Sequence, residues 1–253
     1  MYGIDRVTRE ILTMRKIYLD VTNAGQDDGL PCSVLREISH LKTLSNENIV
    51  TLREATVQNE AVFISFDHCE SNLREFIKKH GTTSNLTAFY KQRRYKGQAQ
   101  RKVQTLQMPL VKNLAFQLMK SLEYLHSQGV MHRNIKPENI LIDSNGTVKL
   151  ADFFMSRITL VPHVSYTPED PKERERSGRE ARRLWYRSPE MLFRKTYYSF
   201  DVDVWALGCL ICEMILGEPL FPGESEIEQL IKIFKLTGTP DEETMAVLNK
   251  TSD

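Results

Sequence analysis

The first third of the chain alternates between apolar and polar positions, as half-buried β-strands do. Residues 10–19 alternate in part and are rich in residues that favour strands. The shorter apolar segments 48–52 and 61–66 also predict strands. Between them, residues 33–41 follow Pro31 and carry apolar side chains at helical spacing, which predicts one helix.

From Asn72 onward the apolar positions recur with the period of a helix. Four segments show this pattern: 73–79, 109–128, 202–216 and 224–236. Within this half, residues 140–151 alternate instead around Asn145-Gly146, a pair that strongly favours a hairpin turn.

These patterns predict an α+β protein made of two lobes. A small β-rich lobe is expected over residues 1–67, a connection over 68–72, and a larger helical lobe over 73–253. Residues 82–107 are polar and predict a solvated loop inserted in the larger lobe, with a docking site for an acidic partner as the alternative. Its basic side chains are Lys91, Arg93, Arg94, Lys96, Arg101 and Lys102. A second polar stretch covers residues 159–183.

Composition narrows the classes of function. A chain of 253 residues can bury a core, and its net charge of +1, with both signs interspersed, does not indicate nucleic-acid binding. No apolar run approaches the roughly 20 residues of a membrane helix, and the first ten residues lack the apolar core of a signal peptide. We therefore expect no nucleic-acid partner and no membrane insertion.

The four cysteines are too scattered for a disulfide framework. Cys209 and Cys212 form a C-x-x-C inside an apolar run, where packing on a buried helix is a better interpretation than a redox or metal pair. This use of cysteine predicts a reducing compartment, cytoplasmic or nuclear.

Four short runs carry the candidate chemistry. They are V-M-H-R-N-I-K-P-E-N-I-L at 130–141, K-L-A-D-F-F at 149–154, W-Y-R-S-P-E at 185–190 and D-V-D-V-W-A-L-G at 201–208. In order and spacing they resemble the catalytic loop, the metal-binding loop, the end of the activation segment and the central helix of protein kinases. The resemblance implies a bilobal kinase fold with an activation segment over 152–190.

The chain is most similar to the cyclin-dependent kinases within that family. G-L-P-C-S-V-L-R-E-I-S at 29–39 resembles the helix that these kinases present to their cyclin. F-P-G-E-S-E-I-E-Q-L at 221–230 and T-G-T-P-D-E at 237–242 resemble the same family's larger lobe. The resemblance implies a cyclin-type partner that binds from Pro31 to Leu41.

Several residues match the family's working parts. The resemblance implies that Asp152 and Asn139 hold magnesium, whose preferred ligands are oxygen atoms. Lys136 matches the lysine that steadies the transferred phosphate, and Glu37 matches the glutamate that tethers the ATP-anchoring lysine. ATP is the implied second cofactor, and its further implied contacts are Phe66, Asp67 and Cys69.

Two differences from the family's pattern affect the binding of the ATP phosphates. The glycine-rich loop that covers them is reduced to a trace at Tyr2-Gly3. Arg15 stands at the position of the ATP-anchoring lysine, and its planar fork cannot copy a compact ammonium. Lys16 is not a ready substitute, because neighbouring side chains on a strand point to opposite faces.

Two more departures affect the chemical step. Asn134 replaces the catalytic aspartate, and an amide cannot take the substrate's proton, a contribution typically worth about 10²–10⁴-fold in rate. Phe154 replaces a glycine and cannot adopt the backbone conformations open to glycine, so we expect the loop to hold Asp152 differently. Together the four departures predict a pseudokinase.

The activation segment matches the family's pattern at some positions and differs from it at others. Arg36, Arg133 and Arg157 match the arginines that cradle the family's phosphothreonine, but Gly178 stands at the threonine position, beside a candidate phosphorylation site at Ser177. Nearby glutamates could satisfy the arginines instead, and solvated arginines are a third interpretation. The glutamates are Glu173, Glu175 and Glu180. Because Arg183 replaces the threonine before L-W-Y-R, the family's proline-directed preference does not carry over.

Three hypotheses follow from the sequence. The favoured one is a cyclin-dependent-kinase-like pseudokinase that binds a cyclin-type partner. The second is an active serine/threonine kinase that phosphorylates protein substrates. The third is a truncated gene product without function, because the chain ends at Asp253, before the arginine expected to pair with Glu190 as a buried carboxylate.

Overall fold

An antiparallel sheet and one helix form the smaller part of the fold. The computed structural model describes residues 2–4, 8–18, 30–84, 103–159, 180–195 and 198–243. The four strands are β1 (Tyr2–Ile4), β2 (Ile11–Tyr18), β3 (Leu52–Gln58) and β4 (Ala61–Asp67). Their order in the sheet is β1-β2-β4-β3, and helix α1 (Cys32–Thr43) lies between β2 and β3 in the chain.

The pairing of β2 with β4 separates two neighbouring cations. Arg15 lies opposite Ile64 in the ladder and Lys16 lies opposite Phe63, so their side chains leave opposite faces of the sheet. The Lys16 ammonium sits over the rings of Tyr18 and Phe63, 4.4 Å and 5.4 Å from their centroids. The prediction that Lys16 points to the opposite face of the strand from Arg15 is confirmed.

The larger part is mainly helical. Its helices are α2 (Leu73–His80), α3 (Met108–Ser127), α4 (Glu180–Leu184), α5 (Pro189–Leu192), α6 (Asp201–Leu216) and α7 (Glu226–Thr237). Its short strands are β5 (Ser71–Asn72), β6 (Thr82–Ser84), β7 (Val103–Thr105), β8 (Val130–Met131), β9 (Ile140–Ile142), β10 (Val148–Leu150) and β11 (Arg157–Ile158). Two 3₁₀ turns, Pro137–Asn139 and Phe153–Met155, carry candidate site residues.

The hairpin predicted around Asn145-Gly146 is confirmed. Strands β9 and β10 pair antiparallel, with Ile142 opposite Val148, and Gly146 adopts a φ of +78°, which glycine tolerates without strain. The Asp143 carboxylate accepts hydrogen bonds from the backbone N–H groups of Asn145 and Thr147 at 2.9 and 2.8 Å. The four predicted long helices are also present, with ends shifted by one or two residues.

The strand predicted at 48–52 is wrong except at its last residue, because Leu52 begins β3. Ile49 forms an isolated parallel bridge with Leu150 of β10 instead. The Leu150 N–H donates to the Asn48 carbonyl at 2.8 Å, and the Val50 N–H donates to the Leu150 carbonyl at 3.0 Å. The apolar run therefore joins the two parts of the fold rather than extending the sheet.

The predicted solvated loop at 82–107 is wrong at both ends. Strands β6 and β7 pair antiparallel, with Thr82 opposite Thr105, and Val103 is buried. The N–H of Leu106 donates to the Met214 carbonyl on α6 at 3.2 Å, which attaches this ladder to the helical core. The six basic residues named above lie outside the described residues.

A partly buried ionic cluster, which the sequence analysis missed, joins α2, the first 3₁₀ turn, the segment before α5, and α6. The Arg74 guanidinium on α2 lies 2.7 Å from Glu138 and 3.3 Å from Glu213 on α6, and it donates to the Tyr186 hydroxyl at 3.2 Å. The Tyr186 hydroxyl donates in turn to Glu213. Burial raises the pKa of Glu213, and the Arg74 charge opposes that shift.

All four cysteines are described, and none of them is in a disulfide. Cys209 is buried on α6, as the packing interpretation requires, and burial raises the pKa of its thiol to about 12. Within the described ranges, no helix combines the length and the apolar character needed to cross a membrane.

Replacing Arg74 tests the ionic cluster. Arg74→Met leaves the buried Glu213 carboxylate without its cation, so we expect the free energy of unfolding to fall by about 3–5 kcal/mol in urea. Arg194→Met is the control, because Arg194 pairs with Glu226 on the exposed surface, where an ion pair contributes little. Equal losses in the two variants would contradict the assignment of the cluster as a stabilising element.

Candidate active site

A buried carboxylate on α6 positions the loop that follows β8. Asp203 is fully buried and accepts hydrogen bonds from the backbone N–H groups of His132 and Arg133, at 2.8 and 2.7 Å. Arg133 adopts a φ of +65°, a conformation that non-glycine residues enter rarely and that these bonds hold in place. The loop is therefore fixed to the central helix of the larger part.

His132 joins this loop to the one that carries Asp152. Its Nε2–H donates to the Ala151 carbonyl at 3.0 Å, and its Nδ1 accepts from the Asn134 N–H at 3.3 Å. Burial lowers the pKa of His132, which keeps the ring neutral and suits this pair of bonds. The ring also meets Phe153 edge-on, with 4.8 Å between centroids.

The structure brings together the residues predicted to hold magnesium and to replace the catalytic base. The Asn134 amide nitrogen donates to Asp152 Oδ2 at 2.8 Å. The Asn139 amide nitrogen donates to the Asn134 backbone carbonyl at 2.7 Å. Asp152 itself takes the left-handed conformation, with a φ of +67°, and begins the 3₁₀ turn that follows it.

Arg15 is shared between two carboxylates. Its guanidinium forms a hydrogen-bonded ion pair with Glu37 on α1 and lies 3.6 Å from Asp152 Oδ1. Burial raises the pKa of Glu37, and the Arg15 charge opposes that shift. The guanidinium also lies 5.8 Å from the centroid of the Phe66 ring. One cation thus links the smaller part, helix α1 and the Asp152 loop.

Lys136 is a buried cation beside these carboxylates. Burial lowers the pKa of its ammonium, while the charges of Asp152 and Glu138 oppose that change and the charge of Arg183 adds to it. The charge of Asp152 therefore acts on the Lys136 ammonium, and the role of Lys136 stays a prediction.

The three remaining predicted ATP contacts lie at and just after the end of β4. Phe66 is buried, and Asp67 accepts an ionic hydrogen bond from Arg53. The Cys69 thiol is half-buried, and burial raises its pKa to about 11. The ATP contacts themselves remain a prediction.

Two predicted departures can be placed in the fold. Tyr2 and Gly3 belong to β1 and pair with Thr13 and Leu12, so this trace is an edge strand rather than a loop over a ligand. Phe154 lies in the 3₁₀ turn with its side chain buried, and it is not among the residues with positive φ. The left-handed residue of this loop is Asp152.

The arginine cradle stays a prediction, and its three arginines make the following contacts. Arg36 donates to the Phe154 carbonyl at 3.4 Å, and Arg157 donates to the Ser156 carbonyl at 3.1 Å. Arg133 instead lies over the Tyr198 ring, 5.3 Å from its centroid. Ser177, Glu173 and Glu175 lie outside the described residues, as does the side chain of Glu180.

Two features of the site escaped sequence reasoning or contradict it. His40 on α1 contacts Ser156, with 2.6 Å between Nδ1 and Oγ, so a second polar contact ties α1 to the loop after Asp152. One hint of this contact was present in the sequence, because His40 is a polar residue at a position of α1 that faces the core. Glu190, expected to be buried, is half-buried because the start of α5 lies near the surface.

A family model for the protein kinase domain matches residues 1–253, the full length of the chain. The match includes all four runs that carry the candidate chemistry. Among the residues that the structure describes, no group of three or more His, Cys, Asp or Glu side chains could hold a metal ion. The candidate ligands Asp152 and Asn139 are a carboxylate and an amide, so they do not form such a group.

The burial of His40 predicts a pH effect on stability. Burial, with the charges of Arg36 and Arg157, lowers the pKa of His40 below its ordinary 6.5. Its contribution to stability is therefore complete above pH 6.5 and is lost as the pH falls through that value toward the folded-state pKa.

His40→Gln removes this titration. We expect the slope of the free energy of unfolding against pH, measured by urea titration below pH 6.5, to decrease by up to about 1.4 kcal/mol per pH unit. His80→Gln is the control variant, because His80 is an exposed histidine at the end of α2. An unchanged slope in His40→Gln would show that His40 does not titrate as its burial requires.

Proposed function

The chain belongs to the protein kinase family, and we propose that it is a cyclin-dependent-kinase-like member with impaired phosphate transfer. In this proposal it is a pseudokinase that acts by binding a cyclin-type partner. The observation that carries the proposal is the hydrogen bond from the Asn134 amide to Asp152. At the position where a kinase needs a proton acceptor, this chain presents a donor to its own metal-binding residue.

The loss of the base follows from the chemistry of the amide. A carboxamide nitrogen has no proton-accepting lone pair available, and the Asn134 oxygen is far too weak a base to remove a hydroxyl proton. Phosphate transfer relies on positioning and charge neutralisation with a residue that orients the attacking hydroxyl. The proposal therefore assigns the largest defect to Asn134, with general-base losses of about 10²–10⁴-fold.

The predicted metal ligands offer the oxygen atoms that magnesium needs, but a neighbouring cation disfavours the ion. Asp152 and the free amide oxygen of Asn139 supply the oxygen atoms that Mg²⁺ prefers. However, the Arg15 guanidinium already lies 3.6 Å from Asp152, and like charges at such distances repel strongly outside bulk water. We infer weak magnesium and ATP binding, because Arg15 must be displaced or must share Asp152 with the ion.

One observation favours an active kinase as the second candidate. The chain has Lys136, Asn139 and Asp152 at the positions that the family uses, and Asn134 bonds both Asn139 and Asp152. The charge of Asp152 also acts on the buried Lys136 ammonium. If this arrangement transferred phosphate slowly, its substrates would be serine or threonine hydroxyls of proteins.

The partner surface is the outer face of α1. Cys32, Leu35 and Ser39 are exposed at helical spacing, while Glu37 is fully buried and faces Arg15. Leu35 is 48% exposed, which makes it a suitable apolar anchor for a partner. A cyclin-type partner and four free cysteines suit the cytoplasm or the nucleus, which completes the proposal.

A radiolabel-transfer assay tests the enzymatic part. We expect wild type to transfer no more phosphate to a generic protein substrate than Asp152→Ala does. The double variant Asn134→Asp with Arg15→Lys restores the proton acceptor and the compact ammonium, so we expect at least about a 10²-fold increase over wild type. Wild-type transfer well above that of Asp152→Ala would establish the second candidate and exclude the pseudokinase.

Titration with a panel of purified cyclins tests the partner. Leu35→Asp places a charge in the proposed interface and is expected to weaken binding at least about tenfold, as loss of an apolar anchor does. Met119→Asp is a matched control, because Met119 on α3 is 50% exposed on the helical part. Binding by no cyclin in the panel, or equal weakening in both variants, would count against the partner.

A further inference from the structure

Strand β3 forms one edge of the four-stranded sheet. It pairs with β4 on one side, and no strand within the described ranges pairs with its other side. Its seven residues extend further than the three residues of β1, which forms the opposite edge. The backbone N–H and C=O groups of an edge strand can pair with a strand from another chain. The β3 edge is therefore the longer of the two places where this sheet can be extended.

The turn between β3 and β4 determines which backbone groups point away from the sheet. Asn59-Glu60 connects the two strands, and both residues have a positive φ, 48° and 55°, as a two-residue turn of type I′ requires. In such a hairpin the closing pair, here Gln58 and Ala61, exchanges both of its hydrogen bonds. The pairs alternate from there along the ladder. Ala55 and Val57 therefore direct their N–H and C=O groups outward.

This edge lacks the features by which proteins usually prevent strand pairing, such as proline, lysine and inward-pointing charges. Residues 55–58 are Ala-Thr-Val-Gln, without a charge or a proline, and Val57 is 59% exposed. The charged residues of β3 are Arg53 and Glu54, at its start, where a register shift interrupts the pairing with β4. The regular part of the edge is therefore residues 54–58.

The regular part of the edge is complementary to itself in one antiparallel register. In this register Thr56 lies opposite the Thr56 of a second copy, and threonine pairs on neighbouring strands are favourable. The other cross-strand pairs are Ala55 with Val57 and Glu54 with Gln58. No two like charges lie opposite each other. The outward groups of Ala55 and Val57 meet in two symmetry-related pairs, and each pair exchanges two hydrogen bonds. The pattern therefore favours a second copy of this chain over an unrelated strand.

We propose that this chain self-associates through β3, with a second copy as the occupant of the edge. A two-fold axis beside Thr56 joins the four described strands of one copy to those of the other in one continuous sheet. The same residues of both copies meet at this axis, so the assembly closes as a dimer. The inference goes beyond the proposed function, because neither nucleotide nor a cyclin-type partner takes part in it.

Sedimentation velocity of the full chain across a concentration series tests this inference. We expect the mass of wild type to rise with concentration from that of one chain toward that of two. Val57→Pro removes one outward N–H from each copy and leaves the ladder to β4 intact, because the N–H of Val57 points away from β4. We expect this variant to raise the dissociation constant of the dimer at least about fivefold, as loss of two hydrogen bonds implies.

Charge substitutions at Thr56 test the register, because this exposed residue faces itself across the axis. Thr56→Glu and Thr56→Lys each place two like charges opposite each other, so each variant alone is expected to dimerise at least about tenfold more weakly than wild type. An equimolar mixture of the two places opposite charges across the axis and is expected to recover dimers. Gln107→Glu and Gln107→Lys are the matched controls, because Gln107 is exposed before α3 and makes no capping hydrogen bond through its side chain. Both controls are expected to dimerise as wild type does.

Three outcomes would overturn the inference. The first is a wild type that stays monomeric at its highest soluble concentration, a result that does not depend on any variant folding. The second is wild-type dimerisation of Thr56→Glu and Thr56→Lys, once cooperative unfolding in urea has shown that both are folded. The third is a mixture of these two variants that forms no more dimer than either one alone. The transfer assay above decides the proposed function separately, because the sedimentation samples contain no ATP.

Discussion

One carboxylate, sealed inside the larger part of the fold, sets the geometry of the candidate site. A buried carboxylate needs hydrogen-bond donors, and Asp203 has the N–H groups of His132 and Arg133 together with the His126 ring, 3.0 Å away. The positions of Asn134 and Lys136 follow from that constraint, because they come next in the same loop. The His132 ring in turn fixes the Asp152 loop, because it donates a hydrogen bond to the Ala151 carbonyl. Loss of Asp203 would release both loops together.

Local patterns in the sequence predicted the elements well and their long-range contacts poorly. The hairpin at Asn145-Gly146 and the opposite faces of Arg15 and Lys16 depend on neighbouring residues only, and both predictions are confirmed. The apolar run at 48–52 carried a strand pattern, yet Asn48 and Val50 bond to Leu150, about a hundred residues away. Periodicity contains no information about such a partner.

The same distinction applies to the site. The motifs brought Asn134, Asn139 and Asp152 together correctly, because each run has a fixed place in the protein kinase fold. Contacts that depend on this chain's own side chains were not foreseen. The reach of Arg15 to Asp152 and the pairing of Arg74 with Glu213 join residues that lie more than 130 positions apart, so neither appears in any local pattern. Glu37, in turn, was expected within a partner-binding segment and is buried.

The ties between α1 and the rest of the molecule also bear on how fast a partner can associate. Glu37, Arg36 and His40 fasten the helix to Arg15 and to the residues after Asp152, using only side chains and backbone of this chain. A helix fixed in this way does not need to reorient before a partner reaches it. If the proposed partner docks on α1, it meets a preformed surface, and an association rate constant of about 10⁵–10⁷ M⁻¹s⁻¹ is expected.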